Sequence, residues 1–148
     1  MNRLLTLCAI LLFTHLNLRA QEVSKVTAEN TSAFTLVIKG YDKIEGEIRI
    51  AMFNSKEKYT KDPVHAVVLP VIADSLVWAV DDLPHGEYAI AVYHDKNTNG
   101  KLDTNLLGIP KEQYGFSNDA RGRFGPAKWN SAKFRFPNTL SSLTIKIH

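Results

Sequence analysis

The segment Asp95-Lys96-Asn97-Thr98-Asn99-Gly100-Lys101-Leu102-Asp103 carries oxygen-bearing side chains at relative positions 1, 3, 5 and 9. Gly100 stands at position 6, where a calcium-binding loop turns sharply, and the Lys101 carbonyl falls at position 7. Such spacing lets alternate residues point at one hard cation. Asp95, Asn97, Asn99, Asp103 and the carbonyl of Lys101 are therefore a candidate calcium site. Position 12 is Leu106 rather than the bidentate glutamate of an EF-hand, and a strand pattern precedes the loop where a helix would be needed. Glu112, Asn118 and Asp119 are the candidate distant ligands. With two carboxylates beside Lys96 and Lys101, the expected dissociation constant is about 10⁻⁴ to 10⁻³ M, the range of extracellular modules. The same residue types also build Asx-turns with positive φ, so an ion-free polar turn stays open as the other reading.

Other chemistry is sparse. No G-x-S-x-G, H-E-x-x-H or P-loop occurs, and the one cysteine, Cys8, lies in the apolar N-terminal run. The histidines are scattered, so the best catalytic constellation is a hydrolase-like loop pocket of His94, Asp95, Asp103 and Glu112. We read the chain as non-enzymatic and keep that pocket as the alternative. Tyr114, Phe116, Phe124 and Trp129 offer flat apolar rings for a glycan or peptide, or else pack the loop they lie in.

These residues need a frame to hold them. The chain has 148 residues, enough for one domain with a core. Its first 20 residues include 13 apolar ones and no acid, with LLTLCAILLF apolar except for Thr6, and with Ala20 before a polar Gln21. This layout predicts a secretory signal peptide over 1–20, cleaved after Ala20, and no stable membrane insertion afterwards. Export to the periplasm or medium follows as an expectation, with an unknown protein or glycan of the envelope as partner. The net charge of +3 falls to +1 without Arg3 and Arg19, and the remaining cations are scattered, which argues against a nucleic-acid partner. Residues 21–32 are polar and without period, and read as a linker.

From 33 to 148 the pattern is that of strands. Phe34, Leu36 and Ile38 alternate with polar neighbours, as do Ile48, Ile50 and Met52. AVVLPVI and SLVWAV are joined at Ala73-Asp74, a predicted hairpin, with Pro70 marking an edge; DDLPH is a predicted turn. GEYAIAVYH, AKFRF and SLTIKIH complete about seven strands. The expected fold is all-β: a seven-stranded antiparallel β-sandwich, immunoglobulin-like or prealbumin-like. Between His94 and Ser131 lie 36 residues without a clear strand, holding five of the eight glycines and many large apolar groups. Such a stretch is expected to be an ordered loop, which needs an internal clamp.

The runs L-P-x-G-x-Y-A-I-A-V at Leu83–Val92, H-D-x-N-x-N-G-x-L-D at His94–Asp103, G-I-P-K-E-x-Y-G-F-S-N at Gly108–Asn118 and G-P at Gly125–Pro126 occur in that order. In these motifs the chain resembles the family known only as domain of unknown function 2141, small exported bacterial proteins. The resemblance is dense over 83–136. It departs after Pro126, where Ala127 and Trp129 replace the family's second proline and phenylalanine. It implies an exported β-sandwich and supplies no activity or catalytic residue.

Overall fold

A computed structural model describes residues 30–123, 125–137 and 141–148. The expected signal peptide, most of the expected linker and Phe124 lie outside the described residues. Eight strands form in chain order: β1 (Thr31–Lys39), β2 (Glu47–Phe53), β3 (His65–Pro70), β4 (Ser75–Pro84), β5 (Gly86–Asp95), β6 (Tyr114–Phe116), β7 (Phe134–Phe136) and β8 (Ser142–Lys146). A single 3₁₀ turn at Ser117–Asp119 and a four-residue helix, α1 (Trp129–Ala132), complete the elements.

The strands build two sheets, one ordered β4-β1-β8 and the other β3-β2-β5-β6, with β7 pairing on β5. Alternation drives their stacking. Phe34, Leu36 and Ile38 of β1, Ile48, Ile50 and Met52 of β2, and Tyr88, Ile90 and Val92 of β5 are buried in one cluster that also takes Leu83, Phe136 and Ile145. The expected two-sheet, mostly-β architecture is what the chain adopts.

Four details differ from expectation, each for a physical reason. Among the described residues there are eight strands, not seven, because Tyr114–Phe116 pairs with Tyr93, Val92 and Ala91, three residues being too few to carry an alternation signal. The pairing is not wholly antiparallel: β1 runs parallel to β8, with Leu36 opposite Leu143 and Ile38 opposite Ile145. β3 and β4 lie in different sheets, so Ala73-Asp74 belongs to a crossover and not a hairpin; Val71 leaves β3, donates its N–H to the Gly46 carbonyl and is buried. Finally, 81–84 continues β4 rather than turning. β4 is an edge strand, so Asp81 and Asp82 stay in solvent while Leu83 packs inward. Pro70 ends β3, an edge strand of the larger sheet, where its missing N–H is tolerated.

A second apolar cluster lies on the outer face of the larger sheet. Phe53 and Ala89, which alternate with the inward Met52 and Ile90, meet Tyr59, Phe116, Ala120, Ala127, Trp129 and Ala132. β5 is thereby buried on both faces, which explains its near-continuous apolar run. Two polar side chains hold the cover in place. Ser117 Oγ accepts the Ile90 N–H at 2.9 Å, and Asn118 Nδ2 donates to the carbonyl of Lys133 at 2.8 Å. Asn118 itself sits at φ +60°, a conformation asparagine tolerates better than most residues.

Candidate functional site

β2 and β5 are antiparallel with Glu47 opposite Asp95 and Arg49 opposite Tyr93, so these four side chains share the outer face of the sheet. Asp95, the last residue of β5, is fully buried there. Arg49 Nε donates to its Oδ2 at 2.7 Å, and Arg49 Nη2 reaches Glu47 at 3.0 Å. The backbone N–H groups of Asn99 and Gly100 donate to the same carboxylate at 3.0 and 2.8 Å. Burial alone would raise the Asp95 pKa. The Gly100 N–H, the Arg49 guanidinium and the Asn99 N–H together outweigh it and hold the carboxyl below its usual range.

The rest of the loop is a ladder of Asx-turns. Asn97 Oδ1 accepts the Asn99 N–H at 3.2 Å, and Asn99 Oδ1 accepts the Lys101 N–H at 2.8 Å. Asp103 receives the side-chain amides of Asn97 at 2.8 Å and Asn99 at 3.1 Å. Gly100 takes φ +81°, with the Tyr93 hydroxyl donating to its carbonyl at 3.1 Å; an added Cβ would find room there, so conformation alone calls for the glycine. Glu112, also buried, closes the far end by accepting the N–H groups of Lys96 and Asp103, both at 2.9 Å. This is the internal clamp the long loop needs.

Of the three distant ligand candidates, only Glu112 comes to the loop. Asn118 donates to the carbonyls at the end of α1 and of Lys133 just after it, and Asp119 pairs with Arg121. Among the described residues no group of three or more His, Cys, Asp or Glu is arranged to hold a metal ion. Nor does the structure assemble the alternative hydrolase pocket. Strand alternation turns His94 to the inner face, opposite to Asp95. There its Nε2 donates to the Glu45 carbonyl at 2.6 Å, its ring lies 5.6 Å from Tyr41, and Nδ1 has no partner.

Beyond the clamp the chain makes a finger. Lys111 N–H returns to the Asp103 carbonyl at 2.8 Å, and Thr104 bridges Pro110. Asn105 organises the tip: its Oδ1 accepts the N–H groups of Leu107 at 2.9 Å and Ile109 at 3.0 Å, its carbonyl accepts that of Gly108, and its own N–H donates to Ile109. The large side chains left outside are apolar, with Leu106 at 105%, Leu107 at 83% and Ile109 at 56% exposure; Thr104 at the base is exposed as well. Between the finger and residues Gly122, Arg123, Gly125 and Pro126 runs a cleft of about 520 Å³, lined also by Leu102, Leu107, Ile109, Tyr114 and Phe116 among others.

Two of the four aromatic residues singled out in the sequence thus border this cleft. Phe116 shows the cleft only an edge, being 7% exposed, and Trp129 is buried in the second cluster, where it fills a core instead of presenting a face. The sequence reading missed Arg49, the partner of Asp95, because a lone strand arginine carries no spacing signal. It also missed Leu106, Leu107 and Ile109 as exposed groups, although L-L-G-I without period in a polar stretch was the available clue.

No curated protein matches the chain, and no solved structure matches it. A family model described as an uncharacterized protein conserved in bacteria matches residues 36–144, which is more than half of the chain and runs from within β1 to within β8, taking in the clamp and the finger. The protein belongs to the DUF2141 family.

Proposed function

We propose that this is an exported, non-enzymatic β-sandwich module that binds a partner through the finger and the cleft beside it. One observation carries the reading: the loop's carboxylates are engaged in internal bonds, while its apolar side chains are turned out on a tied-down backbone. The prealbumin-like type of sandwich is favoured over the immunoglobulin-like one. In the latter the first two strands share a sheet, whereas β1 and β2 lie in opposite sheets. The apolar run over 4–13 supports export.

A dye of the anilinonaphthalene sulfonate type tests the reading, because it needs an apolar surface that a fully packed fold lacks. The native protein should take up about one dye per chain in the cleft, and Leu107→Ser with Ile109→Ser should lose that uptake without a change in melting temperature. Absence of uptake by the native protein contradicts a binding cleft. An esterase or glycosidase activity that disappears in Glu112→Gln would return the hydrolase alternative.

The calcium reading of 95–103 is a second proposal, supported by the closeness of Asn97 and Asn99 to Asp103; both amides now face that carboxylate with nitrogen, at 2.8 and 3.1 Å, and an ion would require them to turn and present oxygen. At a dissociation constant of about 10⁻⁴ M, 10 mM calcium adds about 2.7 kcal/mol of stability by mass action. In a domain of this size the melting temperature then rises on the order of 10 °C over that in chelator. Arg49 works against this result, since its guanidinium already gives Asp95 the positive neighbour that the ion would supply. Equal melting temperatures in calcium and chelator leave the Asx-turn ladder as the whole clamp.

A further inference from the structure

Building on the finger's role as a binding surface, we infer that residues 104–110 dock on an anionic lipid surface. Leu106, Leu107 and Ile109 enter the boundary between headgroups and acyl chains. Shape is the first argument. Leu106 and Leu107 project from the tip at 105% and 83% exposure, so they are convex apolar groups that a fluid phase receives without a matching cavity. Backbone chemistry is the second. A segment enters a lipid boundary at lower cost when most of its N–H groups have partners: those of Asn105, Leu107, Gly108 and Ile109 donate within the finger and Pro110 has none to satisfy, which leaves those of Thr104 and Leu106 to the water among the headgroups.

Charge is the third argument. At the base of the finger the acids point inward: Asp103 receives two side-chain amides, and buried Glu112 receives two backbone N–H groups. The outward charges there are cations. Lys101 and Lys111 are exposed and form no ion pair among the described residues. An apolar tip set on a cationic base is complementary to a bilayer carrying anionic headgroups. Three side chains make a reversible peripheral contact and not an anchor.

The test is co-sedimentation of the exported protein with vesicles of phosphatidylglycerol in phosphatidylcholine, and with vesicles of phosphatidylcholine alone. Protein that retains the apolar run over 4–13 binds either vesicle whatever the finger does, so all variants must share one processed N-terminus. Binding should be confined to the anionic vesicles and should weaken with salt. Leu106→Ser with Leu107→Ser should weaken it about tenfold or more, and each of Lys101→Gln and Lys111→Gln about fivefold. These side chains are exposed, so unchanged melting temperatures confirm that the variants fold. The inference is overturned if the wild type ignores anionic vesicles or if the leucine variant binds as well as the wild type. It is also overturned if the wild type self-associates through the finger and leaves the vesicles alone. Dye uptake without vesicle binding defeats this inference and spares the binding module; loss of both defeats the two together.

Discussion

Asp95→Ala should lower stability by about 3 to 4 kcal/mol, a fall in melting temperature on the order of 15 °C. The substitution removes one buried carboxylate that serves three donors: the Gly100 N–H and Arg49 Nε are left without an acceptor, while the Asn99 N–H keeps only its longer bond to Asn97 and Arg49 keeps only Glu47. Asp95→Asn should cost less, because it keeps the volume and one acceptor, and it separates charge from shape. The pH dependence follows from the depressed carboxyl of Asp95. Its folded pKa is below the ordinary 3.8, so its contribution is fully present above that value and is lost as pH falls through the folded pKa. Urea unfolding at a series of pH values should therefore show wild type and Asp95→Asn converging in acid and diverging toward neutrality. Parallel curves would mean that the carboxylate charge contributes nothing and that only its hydrogen-bonding shape matters.

The clamp was legible in the sequence because its logic is local. Asp95, Asn97, Asn99, Gly100 and Asp103 lie within nine residues, and both expected readings of them use the same side-chain oxygens. What closes the clamp is not local. Arg49 reaches it from β2, and Glu112 comes back from beyond the finger, and no spacing rule ties either residue to Asp95. The same division holds for the fold. Long alternating runs such as 33–39 and 86–94 announced β1 and β5, since a period of two over many residues has few competing explanations. The partner of each strand stayed hidden. The parallel alignment of β1 with β8 and the assignment of β3 and β4 to different sheets depend on contacts among residues far apart in the chain.

His94 shows a different limit. Its neighbour Asp95 suggested an acid–base pair, yet alternation in β5 turns adjacent residues to opposite faces, so closeness in sequence became separation in chemistry. Trp129 is the converse case. Its position in a glycine-rich stretch invited a surface role, because nothing in the loop's pattern marks a second core. That core forms only where Ala89 and Phe53, on the outer side of their strands, meet a cover tied down by Ser117 and Asn118.

Trp129→Ala should accordingly cost about 3 to 5 kcal/mol, the usual range for emptying a buried tryptophan site. The loss should be uneven across the molecule. Trp129 contacts Tyr59 edge-on at 5.6 Å, and Tyr59 meets Phe53 the same way at 5.3 Å, so one side chain joins α1 to the 55–62 turn and to β2. The inter-sheet core, built from other residues, is not touched. Hydrogen exchange should therefore accelerate in 55–62 and 117–132 while the β1–β8 pair keeps its protection. Tyr59→Phe is the control. The Tyr59 hydroxyl is buried without a partner, and burial pushes its pKa up to about 12. Removing that hydroxyl should leave stability unchanged or raise it by about 1 kcal/mol, with the ring contacts intact. If Trp129→Ala costs less than about 1 kcal/mol, or if protection falls equally in β1 and β8, the outer cluster is not a separate core. A clear loss in Tyr59→Phe would instead reveal a hydrogen-bond partner for that phenol.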